Sequence, residues 1–339
     1  MTMPPRAWLV AAATVLLVGC TTPGNPTSAP PSAATVTGVG SGLPAGGSRI
    51  SGLKQPFGVA IDKGAAWVTE YEAGNLVRID TSANRILARI HVGPHASHLV
   101  VQGGFAWVID DLGGTLVSVD TRTNQVGKQI PMRPRPELRP IAIVADAGSI
   151  WVPLATNNEN LATPHDPPSE LVRVDASTGE VLATISVPGI AAGVAVGGGA
   201  VWVASTLNPI AVYRIDPAAK VLAATIDTGH TPTGAMAYLD PYLWVANQDG
   251  DLTRIDSRTN RATSFTVGSP EWPALVAQGQ AIWISAPLDN VVARFDPATG
   301  VISRTVPTGG SRPQVFAFLG NDMWVANYVD GTLARLPIN

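Results

Sequence analysis

The chain has a lone cysteine, Cys20, among 339 residues. No disulfide can form within it, so the fold has to be held by packing. Charge is sparse too: 14% of residues are charged, 22 basic against 25 acidic, for a net charge of −3. That balance excludes a general attraction to nucleic acid. The local basic cluster, Arg133, Arg135 and Arg139 among prolines, reads as a solvated loop. The apolar run at residues 7–18 is far too short to span a bilayer as a helix. Missing as well are a Gly-x-Ser-x-Gly elbow, a Gly-rich phosphate loop and the HExxH pair of zinc proteases.

What is abundant is apolar residues (45%), Gly (34) and Pro (29), a composition that suits many short strands and turns around a large core. Residues 56–92 contain four runs of strand period, the second carrying Trp67 and the third closing on Arg78-Ile79-Asp80. The unit returns six more times. Its tryptophans are Trp67, Trp107, Trp151, Trp202, Trp244, Trp283 and Trp324, spaced 40, 44, 51, 42, 39 and 41 apart. Six third strands end on Asp80, Asp120, Asp175, Asp216, Asp256 and Asp296. After each comes a turn such as DTSAN, DTRTN or DPATG, with DPAAK as the departure. The aspartate can accept backbone N–H groups, and Asn or Gly four positions on tolerates positive φ.

Repeated four-stranded units of about 40 residues predict an all-β, seven-bladed propeller. The last copy runs out at Asn339 without its fourth strand, and residues 48–51 repeat the layout of an outer strand. The segment at 49–51 is therefore expected to complete the seventh blade and close the ring. The domain plan is residues 1–19, 20–47 and 48–339.

Leu17-Val18-Gly19-Cys20 resembles the lipobox of bacterial lipoproteins. The resemblance implies a signal peptide over residues 1–19 and a lipid anchor on Cys20. Residues 20–47 would then be a tether too poor in large apolar groups to fold. The expected location is the outer side of the bacterial cell membrane, with the propeller a monomer.

In a propeller, loops from one blade's outer strand to the next blade's inner strand share a face with loops between second and third strands. The first set places His95, His98, Arg139, His230, Trp272 and Arg312 around the mouth. The second places Glu70, Tyr71, Asp110, Asp111, Asn247 and Asn327 there. The long loop at 155–170 accounts for the spacing of 51 and reads as a lid. Trp272 breaks the framework pattern, so it either stacks on a flat ligand or packs against a loop. His95, His98, Asp110 and Asp111 offer a possible divalent-metal set, with ordinary polar lining as the alternative; no cofactor is otherwise implied.

AWVTEYEAGNLVRID resembles the repeat of virginiamycin B (streptogramin) lyases. IDTSANRILARIHVG and WVANYVDGTLARL equally resemble YVTN-type, YncE-like propellers. The lyases keep catalytic histidines directly after the inner-strand proline of the last two blades. The matching residues here are Ala274 and Gln314, so no catalytic residue carries over. The resemblance specifies fold far better than activity, and the leading expectation is a lipid-anchored binding or scaffold propeller whose funnel accepts a ligand or an envelope protein. The alternatives are a metal-dependent lyase or hydrolase and an envelope assembly factor.

Overall fold

The structure, a computed structural model, describes residues 42–156, 168–207, 209–268 and 274–338. Among these residues every regular element is a strand, and the strands form seven antiparallel sheets. Blade 1 comprises Pro56–Asp62, Ala65–Glu70, Asn75–Asp80 and Arg85–His91 in chain order from the axis outward. Blades 2, 4, 5 and 6 repeat that order. In blade 3 the inner strand is split into Leu138–Pro140 and Val144–Asp146, both paired with Ser149–Thr156. Arg139 therefore lies within a strand rather than in a connecting loop.

Blade 7 is closed by the strand Ser48–Ile50, which pairs antiparallel with Thr332–Pro337 through Arg49↔Ala334 and Ile50↔Leu333. The closing strand starts one residue earlier than the sequence suggested and ends before Ser51. Its effect is as expected: a strand from the N-terminal side fills the last outer place, and the ring is left without an open seam.

Packing explains why seven tryptophans recur. Each is at most 3% exposed and lies between its own blade and the next. Trp67 packs with Leu99 and Val108 of blade 2, Trp202 with Leu243 and Val245 of blade 5, and Trp324 with Val59 and Val68 of blade 1. Burying so large an apolar group at every interface supplies what disulfides do not.

The turns between third and outer strands behave as their composition required. Asp80 Oδ1 accepts the N–H groups of Ser82 and Ala83 at 2.9 and 3.1 Å, and the equivalent aspartates repeat the pattern. Asn84, Asn124, Gly179, Asn260 and Gly300 all take positive φ. Lys220 does so as well at +59°, so the DPAAK turn departs in sequence and not in shape.

Blade 2 differs on the side facing away from the mouth. Where other third strands place an arginine opposite the tryptophan, it has Ser118 opposite Trp107. A cleft of about 110 Å³ opens there, lined by Trp107, Ser118, Gly127, Lys128 and Gly179. Lys128 of the outer strand lines this cleft, and its backbone N–H donates to Ser118 Oγ at 2.8 Å. In blade 1 that outer-strand position is Ala88, opposite Arg78.

Candidate functional site

The sequence-selected mouth residues divide into two groups. Glu70, Asp110, Asn247 and Asn327 each close a second strand, three residues after the blade tryptophan, and none is more than 3% exposed. Glu70 accepts from Lys54 N–H at 3.1 Å and Asn75 Nδ2 at 2.9 Å, and pairs with Arg89 Nε at 3.2 Å. Asp110 Oδ1 accepts the N–H groups of His95 and Gly113 at 3.2 and 2.8 Å. Asn247 and Asn327 donate to the hydroxyls of Thr253 and Thr332 in the adjoining third strand at 2.9 and 3.2 Å. These side chains fasten loops to blades and do not line the mouth. Their strict position after the tryptophan is the signal of a framework role.

The second group converges. Phe57 follows the inner-strand proline of blade 1 and sits where the register shifts between Pro56 and Val59. Its ring lies 5.6 Å from Tyr71, 5.0 Å from His98 and 6.4 Å from Tyr328, centroid to centroid. Tyr71 in turn lies 4.8 Å from His95 and donates its hydroxyl to Asp111 Oδ2 at 3.1 Å. His95 Nδ1 is 3.5 Å from Asp111 Oδ1. Blades 7, 1 and 2 thus contribute one patch: Phe57, Tyr71, His95, His98, Asp111 and Tyr328. The sequence reading missed Phe57. The usable signal was its place directly after Pro56, the position examined in the last two blades at Ala274 and Gln314.

The electrostatics of this patch are those of a partly dry surface. Burial raises the Asp111 carboxyl above its ordinary value, against the lowering effect of the Tyr71 hydroxyl and His95. Burial and the adjacent Asp111 push the Tyr71 phenol well up, so it stays a hydrogen-bond donor. Tyr328 is raised by burial and by Glu72, against Arg312. His98 was expected in a loop but lies in the inner strand Ala96–Gln102. Its ring is partly covered while Nδ1 is sealed from solvent without a partner, and burial lowers its pKa to about 4. The imidazole is neutral at pH 7.

His95, His98, Asp110 and Asp111 do not converge as a metal set: His98 packs on Phe57, and Asp110 is committed to backbone amides. Two arginines of the basic cluster, Arg133 and Arg135, have local partners. Arg133 donates to the Leu112 carbonyl, and Arg135 pairs with Glu170 at 2.7 Å. Arg312, at φ +54° before Pro313, donates its N–H to Asn290 Oδ1 at 2.9 Å. Across the mouth, His230 Nδ1 lies 2.5 Å from Asp249 Oδ2. Trp272, most of the expected lid and Cys20 lie outside the described residues.

No family model matches the sequence, and no curated protein matches it. Solved structures do match in fold. Virginiamycin B lyase from Staphylococcus aureus superposes with a TM-score of 0.70 at 18% identity, covering 86% of this chain and 99% of the other. A catalytically inactive variant of that enzyme with quinupristin gives 0.70 at 19% identity, covering 86% and 99%. BamB from Moraxella catarrhalis gives 0.59 at 17%, covering 83% of this chain and 82% of the other. The fold is a seven-bladed β-propeller. At such identity the likeness carries architecture and not activity.

Proposed function

We propose that the chain is an exported, lipid-anchored binding propeller whose mouth accepts a ligand or an envelope protein. The observation that carries this reading is the patch at Phe57, Tyr71, His95, His98, Asp111 and Tyr328. Three blades bring aromatic faces together there with a carboxylate of raised pKa. Aromatic surface with a few oriented polar groups is the usual chemistry of a recognition site. The lipobox-like Leu17-Val18-Gly19-Cys20 supports export and anchoring through Cys20.

Two measurements test it. Labelling with a palmitate analogue should mark the wild type and not Cys20→Ala. A pull-down from detergent-solubilised envelopes should recover a partner that Tyr71→Ala and Asp111→Asn lose. A partner retained by both variants would favour the assembly-factor reading, in which blade edges or outer faces bind.

The fold match to virginiamycin B lyases favours a second reading, a metal-dependent lyase or hydrolase with a rearranged site. Ala274 and Gln314 weigh against it, since neither side chain can transfer a proton. Incubation of the mature domain with quinupristin and Mg²⁺, followed by mass spectrometry, separates the two. Turnover would establish the enzyme.

A further inference from the structure

Among the described residues, His230, Asp249 and Asp251 bring one ligand atom each to within 4.8 Å of one another. They come from two segments of blade 5. His230 is in the loop leading to the inner strand Pro232–Leu239, Asp249 is in the loop after Tyr242–Asn247, and Asp251 opens the third strand Asp251–Asp256. Both loops are braced by their own hydrogen bonds. Thr228 Oγ1 donates to the His230 carbonyl at 2.7 Å, Gly229 N–H to Asp227 Oδ1 at 2.8 Å, and Gln248 N–H to the Thr231 carbonyl at 2.8 Å. Gly250, at φ +88°, makes the bend between the two carboxylates.

The repeat supplies an internal control. Three residues before the one that faces the blade tryptophan, the third strands carry Asn75, Thr115, Glu170, Ala211, Asp251, Val291 and Thr332, so blades 3 and 5 alone have an acid there, and the Glu170 carboxylate is already paired with Arg135. Blade 2 also pairs a histidine with an aspartate at the mouth, His95 with Asp111, but there the carboxylate is engaged by the Tyr71 hydroxyl and the third-strand residue is Thr115. Blade 5 has the pair and adds a second carboxylate beside it.

We propose that His230, Asp249 and Asp251 form a divalent transition-metal site on the mouth face. One imidazole nitrogen with two carboxylate oxygens suits Zn²⁺ or Mn²⁺ better than the all-oxygen preference of Ca²⁺ or Mg²⁺, with Zn²⁺ the tighter of the two. Three protein ligands leave coordination positions for water or for an oxygen of whatever enters the mouth. This proposal stands independently of the binding function assigned to the patch on blades 7, 1 and 2.

The test is titration of the metal-free mature domain with ZnCl₂ by calorimetry, repeated with Mn²⁺ by electron paramagnetic resonance. One equivalent should bind. Asp251→Asn should weaken binding at least tenfold and His230→Ala should abolish it. Both variants should melt as the wild type does, because neither side chain belongs to the core. Millimolar Mg²⁺ should not displace the ion. Absence of stoichiometric binding, or binding that survives both substitutions, would overturn the assignment.

Discussion

Arg78 lies over the indole of Trp67, its cross-strand partner, with the guanidinium carbon 5.3 Å from the ring centroid. The same pairing recurs at Arg173 over Trp151, Arg214 over Trp202, Arg254 over Trp244 and Arg335 over Trp324, at 5.2 to 5.9 Å. Each arginine covers its blade's buried ring. At about 0.5–1 kcal/mol each, these contacts are small beside the burial of the indoles themselves. The tryptophan is therefore the residue to remove.

Trp202→Ala is expected to cost about 3–5 kcal/mol, the range for deleting a large aromatic from a packed interior. Trp202 is fully buried between blades 4 and 5 and donates Nε1–H to the Gly197 carbonyl at 3.0 Å. Urea denaturation measures it. An unchanged midpoint would contradict the inter-blade role.

Ile50→Ala tests ring closure. Ile50 is 7% exposed, pairs with Leu333 and packs with Trp324. A loss of about 2–5 kcal/mol is expected from a cavity at the seam. Arg49→Ala, in the same strand, should change the urea midpoint far less, because Arg49 is exposed.

Acid should unfold the ring partly through its turns. Asp175 is held at about 2 by the Ser177 hydroxyl and by the N–H groups of Thr178 and Ser177. Asp80 is lowered by the Ser82 hydroxyl, and Asp120, Asp216 and Asp256 by turn N–H groups. A depressed folded-state pKa gives stability that is present above the unfolded value near 3.8 and lost as pH falls toward 2. The urea midpoint should therefore drop across that window, and less steeply in Asp175→Asn.

His98 gives a second window, at milder pH. Its folded pKa of about 4 lies below the ordinary 6.5, so the unfolded chain takes up the proton first. Stability should decline as pH falls from 6.5 to 4. His98→Phe should flatten that part of the profile, and proton NMR should find the His98 ring neutral at pH 6. A ring titrating near 6.5 would show that the site is wet.

Much of the fold is legible in the sequence because each blade uses the same local chemistry. An indole in the second strand, a capping aspartate and a positive-φ turn residue recur wherever one hairpin must close and one interface must fill. The missing last strand was likewise readable, since a ring of paired edges needs its partner from the chain's other end. The mouth was harder. Recurrence at a fixed distance from the tryptophan marks Glu70, Asp110, Asn247 and Asn327 as fasteners, yet their polarity suggested ligand contacts.

What the sequence by itself determined is the blade, its number and its closure, because these follow from short-range pattern repeated seven times. What only the tertiary structure decided is which side chains meet. Phe57 touches Tyr328 and His98, and His230 faces Asp249 and Asp251, through loops of different blades or strands. Those encounters depend on register shifts and loop bends that carry no periodic signature, and Tyr328 meets Phe57 only because the closed ring sets blade 7 beside blade 1.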